Sequence, residues 1–347
     1  MPASTLARNR LPAYCCQLQM RINHASMILE QLYDRRDGYA THAELAELTG
    51  LNQAQIARAL SRLREIGHEV EFSPSHGLRL ARPVRLDAHI IERGLDTGRV
   101  GRNVICFEQV GSTNDVAFDS ARQADADGLV VLAESQSKGR GRLGRKWVSP
   151  PQTNVLMSVL LVDAAGSLPH EAITIAAGLA AAEGIEQAVG LDCRLKWPND
   201  LELDGEKLAG ILVEVRNIPQ ARGPARRCVV VGIGVNCNAA PPADAIGRHA
   251  TCLADHLGEP VERIEIVRAV LQSLDRWIAD IAAGQLDDLH NRWVARCGMI
   301  NRRVTILSDG VRHTGRVLDV QPLEGLVLCK DNGQTVHLPA SSSTVGD

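Results

Sequence analysis

Residues 138–147 read KGRGRLGRKW: Lys138, Arg140, Arg142, Arg145 and Lys146 are interleaved with Gly139, Gly141 and Gly144, and Trp147 closes the run. No acid stands among these five cations and three glycines. Two phosphate-loop readings fit the spacing and fail on context. Gly139, Gly141 and Gly144 satisfy Gly-x-Gly-x-x-Gly after a strand-like stretch, with Asp163 about twenty residues on. That fingerprint must open a helix whose N-terminus holds a pyrophosphate. Here RKWVSPPQTN follows, and Pro150–Pro151 excludes an immediate long helix. Gly139 and Gly144 also have the Walker interval, but that pattern continues with Lys and then Ser or Thr, whose hydroxyl holds magnesium. Arg145, Lys146 and Trp147 stand there instead. What remains is a flexible cationic loop ending in an aromatic residue. Its glycines let the backbone close over a ligand, its cations neutralise phosphate oxygens, and Trp147 offers a stacking face for a purine. A solvated surface loop is the plainer reading, and the lack of any interleaved acid weighs against it.

A second stretch points the same way. LKWPNDLELDGEKLAGILVE places Lys196 near a strand end before Pro198, Asn199 and Asp200 in a turn, and Lys207 before another strand. A lysine fixed at a strand end is a point charge suited to joining two anions that repel each other. An ordinary hairpin with exposed lysines explains this stretch alone equally well.

Around these motifs, 347 residues suggest two or three domains. Aromatics are 3% of the chain, so the cores must be aliphatic. A net charge of −3 advertises no global polycation, and any basic function must be local. No apolar run is expected to reach the roughly 18 residues that span a membrane. Nine cysteines without a Cys-x-x-Cys fit reduced thiols in a cytoplasm better than disulfides or zinc.

The chain divides into four parts. Residues 1–26 hold Arg8, Arg10 and Arg21 but no acid, and read as a disordered extension in which Met20 and Met27 are alternative starts. Residues 27–83 read as three helices and a hairpin. THAELAELTG opens with Thr41 and Glu44 as a capping box, and NQAQIARALSRLREIG opens with Asn52 and Gln55 in the same relation. Ile56, Leu60 and Leu63 form one buried face of that third helix. HEVEFSPSHGLRL alternates about a turn, as a hairpin does. Together these describe a winged helix-turn-helix that binds DNA, with a small helical interaction module as the alternative. Its third helix would place Asn52, Gln53 and Gln55 against adenine edges, and Arg58 and Arg62 against guanine or phosphate. So few cations imply that a dimer is needed. Residues 84–300 mix strands (GLVVLAES, QTNVLMSVLLV, KLAGILVEV, RRCVVVGIGVNCN) with an Ala-rich helix and the long amphipathic VERIEIVRAVLQSLDRWIADIAAG, an α/β or α+β domain. Residues 301–347 look like short strands separated by SDG, LEG and DNG turns, a small β-barrel.

GSTN (111–114), GRGRLGRKW (139–147), KWPND (196–200), KLAGILVE (207–214) and GIGVN (232–236) occur in the order and spacing of the biotin–protein ligases. The chain resembles that family over about 27–345, and its N-terminal part resembles the bifunctional members, which are also biotin operon repressors. The resemblance implies an α+β fold: a winged helix-turn-helix, a mixed α/β catalytic domain like the class II aminoacyl-tRNA synthetases, and an SH3-like barrel. It implies that biotin's carboxylate attacks the α-phosphate of ATP, with Mg2+, and that a lysine of the biotin carboxyl carrier protein of acetyl-CoA carboxylase then takes the biotin. By matching position, Ser112, Thr113 and Gln136 should bond the ureido ring, with Asn114 in the same motif. Gly139, Arg140, Gly141 and Arg142 should close on the valeryl chain, carboxylate and phosphate. Lys196 should bridge carboxylate and α-phosphate, as the main catalytic charge beside Arg140 and Arg142. Trp147 and Asn236 lie where the family contacts adenine, and Arg145, Lys146, Asn199 and Lys207 belong to the ATP side. Asn199 and Asp200 either serve a magnesium site or brace the turn. The family also implies a cytoplasmic protein without membrane partners, an adenylate-induced homodimer, and operator DNA of biotin-synthesis genes. A ligase that no longer represses and a lipoate–protein ligase are the competing readings.

Overall fold

The computed structural model describes residues 23–36, 38–220, 224–246 and 249–346. The expected extension therefore lies almost wholly outside the described residues. The chain forms two compact units, Met1–Leu80 and Ala81–Asp347.

The first unit contains α1 (His24–Asp34), α2 (His42–Thr49), α3 (Gln53–Glu65), β1 (Val70–Ser73) and β2 (Gly77–Leu80). α1 starts three residues before Met27 because the Asn23 side chain accepts from the Ser26 amide at 3.0 Å and caps it. Both expected capping boxes form: Thr41 with Glu44, and Asn52 with Gln55. Gly50 ends α2 in the left-handed conformation, at φ 70°. α3 buries Ile56, Ala59, Leu60 and Leu63, and β1 and β2 pair antiparallel.

The α3 caps alter the expected DNA-facing set. Asn52 Oδ1 accepts from the Gln55 amide at 3.0 Å, and Gln55 Oε1 accepts from the Asn52 amide at 2.9 Å. A bidentate adenine contact needs both the oxygen and the nitrogen of the side-chain amide, so neither residue makes one while the cap holds. Arg62 pairs with Glu65 at 3.0 Å, whereas Gln53 and Arg58 stay exposed.

The second unit opens with α4 (Ala88–Glu92), β3 (Asn103–Val110), α5 (Thr113–Ser120), β4 (Leu129–Gln136) and β5 (Val155–Val162). It continues through α6 (His170–Val189), β6 (Arg194–Lys196), β7 (Asp200–Leu203), β8 (Glu206–Ile218) and β9 (Arg226–Val235). The short α7 (Ala243–Ile246) and α8 (Leu253–Leu257) precede α9 (Arg263–Ala282) and α10 (Asp287–Arg296). These strands make one mixed seven-stranded sheet in the order β3-β4-β5-β9-β8-β7-β6, parallel only between β3 and β4. α6 and α9 pack together, and a Cβ at Gly184 would stand 2.6 Å from the Val270 backbone, so only glycine allows this approach.

Contrary to the expectation from the sequence, α6 is long and apolar enough to cross a membrane by length and composition. Most of it is buried inside the unit, as a helix that is hydrophobic all round must be. The C-terminal strands β10 (Arg303–Ser308), β11 (Val311–Gln321), β12 (Gly325–Lys330), β13 (Thr335–Leu338) and β14 (Ser343–Val345) form a five-stranded antiparallel sheet ordered β13-β12-β11-β10-β14.

Candidate active site

The cationic stretch folds into a small hairpin after β4. Residues Arg140 and Lys146 form a bridge, the Trp147 amide donates to Gly139 O at 3.1 Å, and the Gly141 amide donates to Arg145 O at 2.8 Å. No long helix follows it, as Pro150–Pro151 required. Leu143, at the tip, takes a left-handed conformation (φ 53°) and is 59% exposed. Behind the hairpin a cavity of about 640 Å³ opens between the loop and the sheet.

Ser112, Thr113, Asn114, Gln136, Arg140, Gly141, Arg142, Arg145, Lys146, Trp147, Lys196, Asn199, Asp200, Lys207 and Asn236 all line this cavity. Gly139 does not. It lies buried behind the wall, where a Cβ would meet the Trp147 carbonyl at 2.5 Å. Among the described residues six of the lining side chains are cations, and Asp200 is the one carboxylate. Four of these cations come from the glycine loop and two from β6 and β8, and the imbalance makes the cavity an anion site.

At the α5 end the lining is polar and locked. The Thr113 amide donates to Gln136 Oε1 at 2.7 Å, which turns the Gln136 side-chain amine away from that bond as a remaining donor. Ser158 Oγ lies 2.7 Å from Thr113 Oγ1 and 2.5 Å from Asn114 Oδ1. Asn114 Nδ2 donates to Glu214 Oε2 at 2.7 Å. Gly232 makes room for this amide: a Cβ there would stand 2.6 Å from Asn114 Oδ1.

At the other end the indole of Trp147 lies on a floor of glycines. A Cβ on Gly210 would come within 2.9 Å of the ring, and one on Gly234 within 2.6 Å. Lys207 Nζ sits 5.5 Å from the ring centroid. Trp147 Nε1 and Asn236 Oδ1 are buried there without a hydrogen-bond partner, a donor and an acceptor left for a ligand.

Between the two ends stand the charges. Lys196 Nζ donates to Glu202 at 2.6 Å, and Lys207 Nζ to Asp200 at 2.5 Å. Arg142 Nη1 donates to Asn199 Oδ1 at 3.2 Å, while its Nη2 donates to the carbonyls of Ala340 and of Ser343, the latter at 2.9 Å. Burial lowers the Arg142 pKa from the usual arginine value, against the opposing pull of Glu171 and Asp200. Asn199 also donates to Ile211 O at 2.8 Å, a bond that ties its turn to β8.

Several partners were not singled out from the sequence. Ser158 had a signal, a lone serine inside the apolar VLMSVLLV. Glu202, Glu214 and Asp115 had none, since acids on exposed-looking strands and helices are common. Thr344, Val345 and Gly346 line the same cavity from the C-terminal sheet, some two hundred residues beyond the loop that they face (about 200 by chain numbering).

Residues 106–236 match the model of the biotin/lipoate A/B protein ligase family. A biotin–[acetyl-CoA-carboxylase] ligase of Mycobacterium tuberculosis is 35% identical over 74% of this chain and 96% of its own length. The chain belongs to the biotin–protein ligase family. Like its relatives in that family, it is a biotin ligase. The bifunctional ligase/repressor BirA of Bacillus subtilis is 27% identical over 90% of this chain and 96% of its own length, so that likeness reaches into the first unit. The solved biotin protein ligase of Aquifex aeolicus, in complex with biotin and ATP, superposes with a TM-score of 0.61 at 23% identity. It covers 71% of this chain and 99% of that one, a likeness of fold.

Proposed function

We propose that this biotin ligase makes biotinyl-5'-AMP from biotin and ATP and passes the biotin to a lysine of the biotin carboxyl carrier protein of acetyl-CoA carboxylase. In the first step a carboxylate oxygen of biotin bonds to the α-phosphorus and pyrophosphate leaves. In the second, the lysine amine attacks the anhydride carbonyl, an amide forms, AMP leaves and the amine gives up a proton. Both reactants of the first step are anions, so counter-charge is the chief requirement. Arg142, Arg145, Lys146, Lys196 and Lys207, lining the cavity with one carboxylate among its described residues, carry this reading.

Lys196, held at the end of β6, is the point charge between carboxylate and α-phosphate. Thr113, Asn114 and Gln136, with Ser112, receive the ureido ring. Trp147 and Asn236 receive adenine, whose exocyclic amine suits the unpartnered Asn236 Oδ1. Arg142, Arg145, Lys146 and Lys207 face the phosphates. Among the described residues no group of three His, Cys, Asp or Glu can hold a metal, and Asp200 is already bonded to Lys207. These residues do not fit a resident magnesium site, and the ion enters as part of the MgATP substrate. Lys196→Ala should lower biotin-dependent ATP–pyrophosphate exchange by about 10²–10³ without unfolding the protein. Near-normal exchange would remove Lys196 from its role.

The first unit, read as a winged helix-turn-helix over 27–83, makes the chain an adenylate-dependent repressor acting as a dimer. Three helices with a hairpin, and a bifunctional relative aligned along most of the chain, support this. The committed oxygens of Asn52 and Gln55 favour the second reading, a ligase that no longer represses. Titration onto DNA from upstream of the biotin-synthesis genes, with and without biotin and ATP, separates them. Tight adenylate-dependent binding supports repression, and equal weak binding to any DNA supports the ligase alone.

A further inference from the structure

Arg140 is the first arginine of the cationic loop, and counter-charge is the obvious use for it. Its surroundings contradict that use. Nη1 donates to Asp115 Oδ2 at 2.6 Å, and Nη2 donates to Asp115 Oδ1 at 2.9 Å and to Glu214 Oε2 at 3.1 Å. Both terminal nitrogens are therefore occupied by carboxylates, one of them bidentate, the strongest arrangement available to a guanidinium. Arg216 completes the cluster, 3.6 Å from Asp115 and 3.3 Å from Glu214. Two arginines face two acids, so an incoming anion meets no surplus positive charge at this point.

Instead the guanidinium ties three elements together. Asp115 stands in the first turn of α5, Glu214 on β8, and Arg140 at the base of the hairpin, bridged to Lys146. Glu214 Oε2 also holds Asn114 Nδ2 at 2.7 Å, so the same carboxylate sets a side chain of the α5 end of the cavity. We propose that Arg140 is a positioning residue, a latch that holds the glycine loop closed on α5 and β8 through Asp115 and Glu214, and that it is not a counter-charge for the reacting anions. This rests on the ligase reading only for its kinetic consequences.

The latch lowers the cost of ordering the loop before substrate arrives, and apparent affinity scales with the populated fraction of the closed form. The test is Asp115→Ala, which removes two of the three carboxylate bonds to Arg140 at a residue that does not itself line the cavity. With the latch, KM for biotin and for ATP in pyrophosphate exchange should rise about tenfold while kcat at saturation changes little. The substrate-free full-length protein should also be cut faster by trypsin between residues 138 and 147, at temperatures well below a still cooperative thermal transition. If Arg140 is a counter-charge, freeing it leaves KM unchanged or lower and leaves trypsin cutting as in wild type, which overturns the proposal. Wild-type protein without biotin-dependent exchange would defeat the ligase reading, and the trypsin comparison would still judge the latch.

Discussion

Gly234→Ala tests the adenine end of the cavity with one methyl group. The φ of Gly234 is not in the left-handed region, so alanine fits the backbone and the effect is steric. The added Cβ would lie 2.6 Å from Cε2 and Cζ2 of Trp147, against about 3.4 Å or more for an ordinary contact. β9 is a central strand, paired on both sides by β5 and β8, and cannot retreat. The indole must therefore move by close to an ångström, and the Trp147 backbone, whose N–H donates to Gly139 O, transmits the shift to the loop. Base–aromatic stacking contributes about 1–3 kcal/mol, so KM for ATP should rise about 5- to 150-fold. KM for biotin, bound at the other end, should change far less. Because Trp147→Ala vacates the space, the double variant should be no worse than Trp147→Ala alone, a non-additive result. An unchanged KM for ATP in Gly234→Ala, or fully additive effects, would refute the placement of the nucleotide over Trp147.

Two further outcomes follow from ion pairs. Glu134 and Arg263 form an ion pair in which both side chains are 2% exposed, and Glu134 also accepts from the Leu86 amide at 2.9 Å. Glu134→Ala strands a buried guanidinium and should cost about 3–5 kcal/mol in urea denaturation; a loss below about 1 kcal/mol would mean that the pair is hydrated. Bonds from Arg140 hold the Asp115 carboxyl below its ordinary range, despite some opposing burial. A depressed folded pKa gives stability that is present above the unfolded value of about 3.9 and lost as pH falls through the lower folded value. The stability gap between wild type and Asp115→Ala should thus stay flat from about pH 5 to 8 and close in acid. A gap that widens on acidification would reverse the sign of this argument.

Periodicity and end signals made much of the fold legible. Thr41–Glu44 and Asn52–Gln55 announced two helix starts because capping is local, and both boxes form. The sequence run of α6 was read as helical, although its all-round apolar character concealed how far it meets membrane length. The edge strand β3 and the helix α10 escaped notice, since one is only partly buried and the other is polar on most faces. Pro150–Pro151 removed the dinucleotide reading, because a missing N–H and a fixed φ act wherever the chain goes, and the Walker reading fell on the missing hydroxyl after Arg145 and Lys146.

The chemistry types were likewise written in the sequence: a glycine-rich cationic loop, a strand-end lysine, and the motifs GSTN and GIGVN. What those side chains touch was decided only by the tertiary structure. Arg140 reads as a spare charge until α5 and β8 bring Asp115 and Glu214 to it. Arg142 reads as a mobile charge until the segment 340–343 offers it two carbonyls, which fix its direction without cancelling it. Composition and local spacing fix which charges a chain carries and where its helices begin. Whether a given charge is surplus depends on its neighbours across the sheet, and those neighbours lie some 25 to 200 positions away (about 25–200 by chain numbering), beyond the reach of any local pattern.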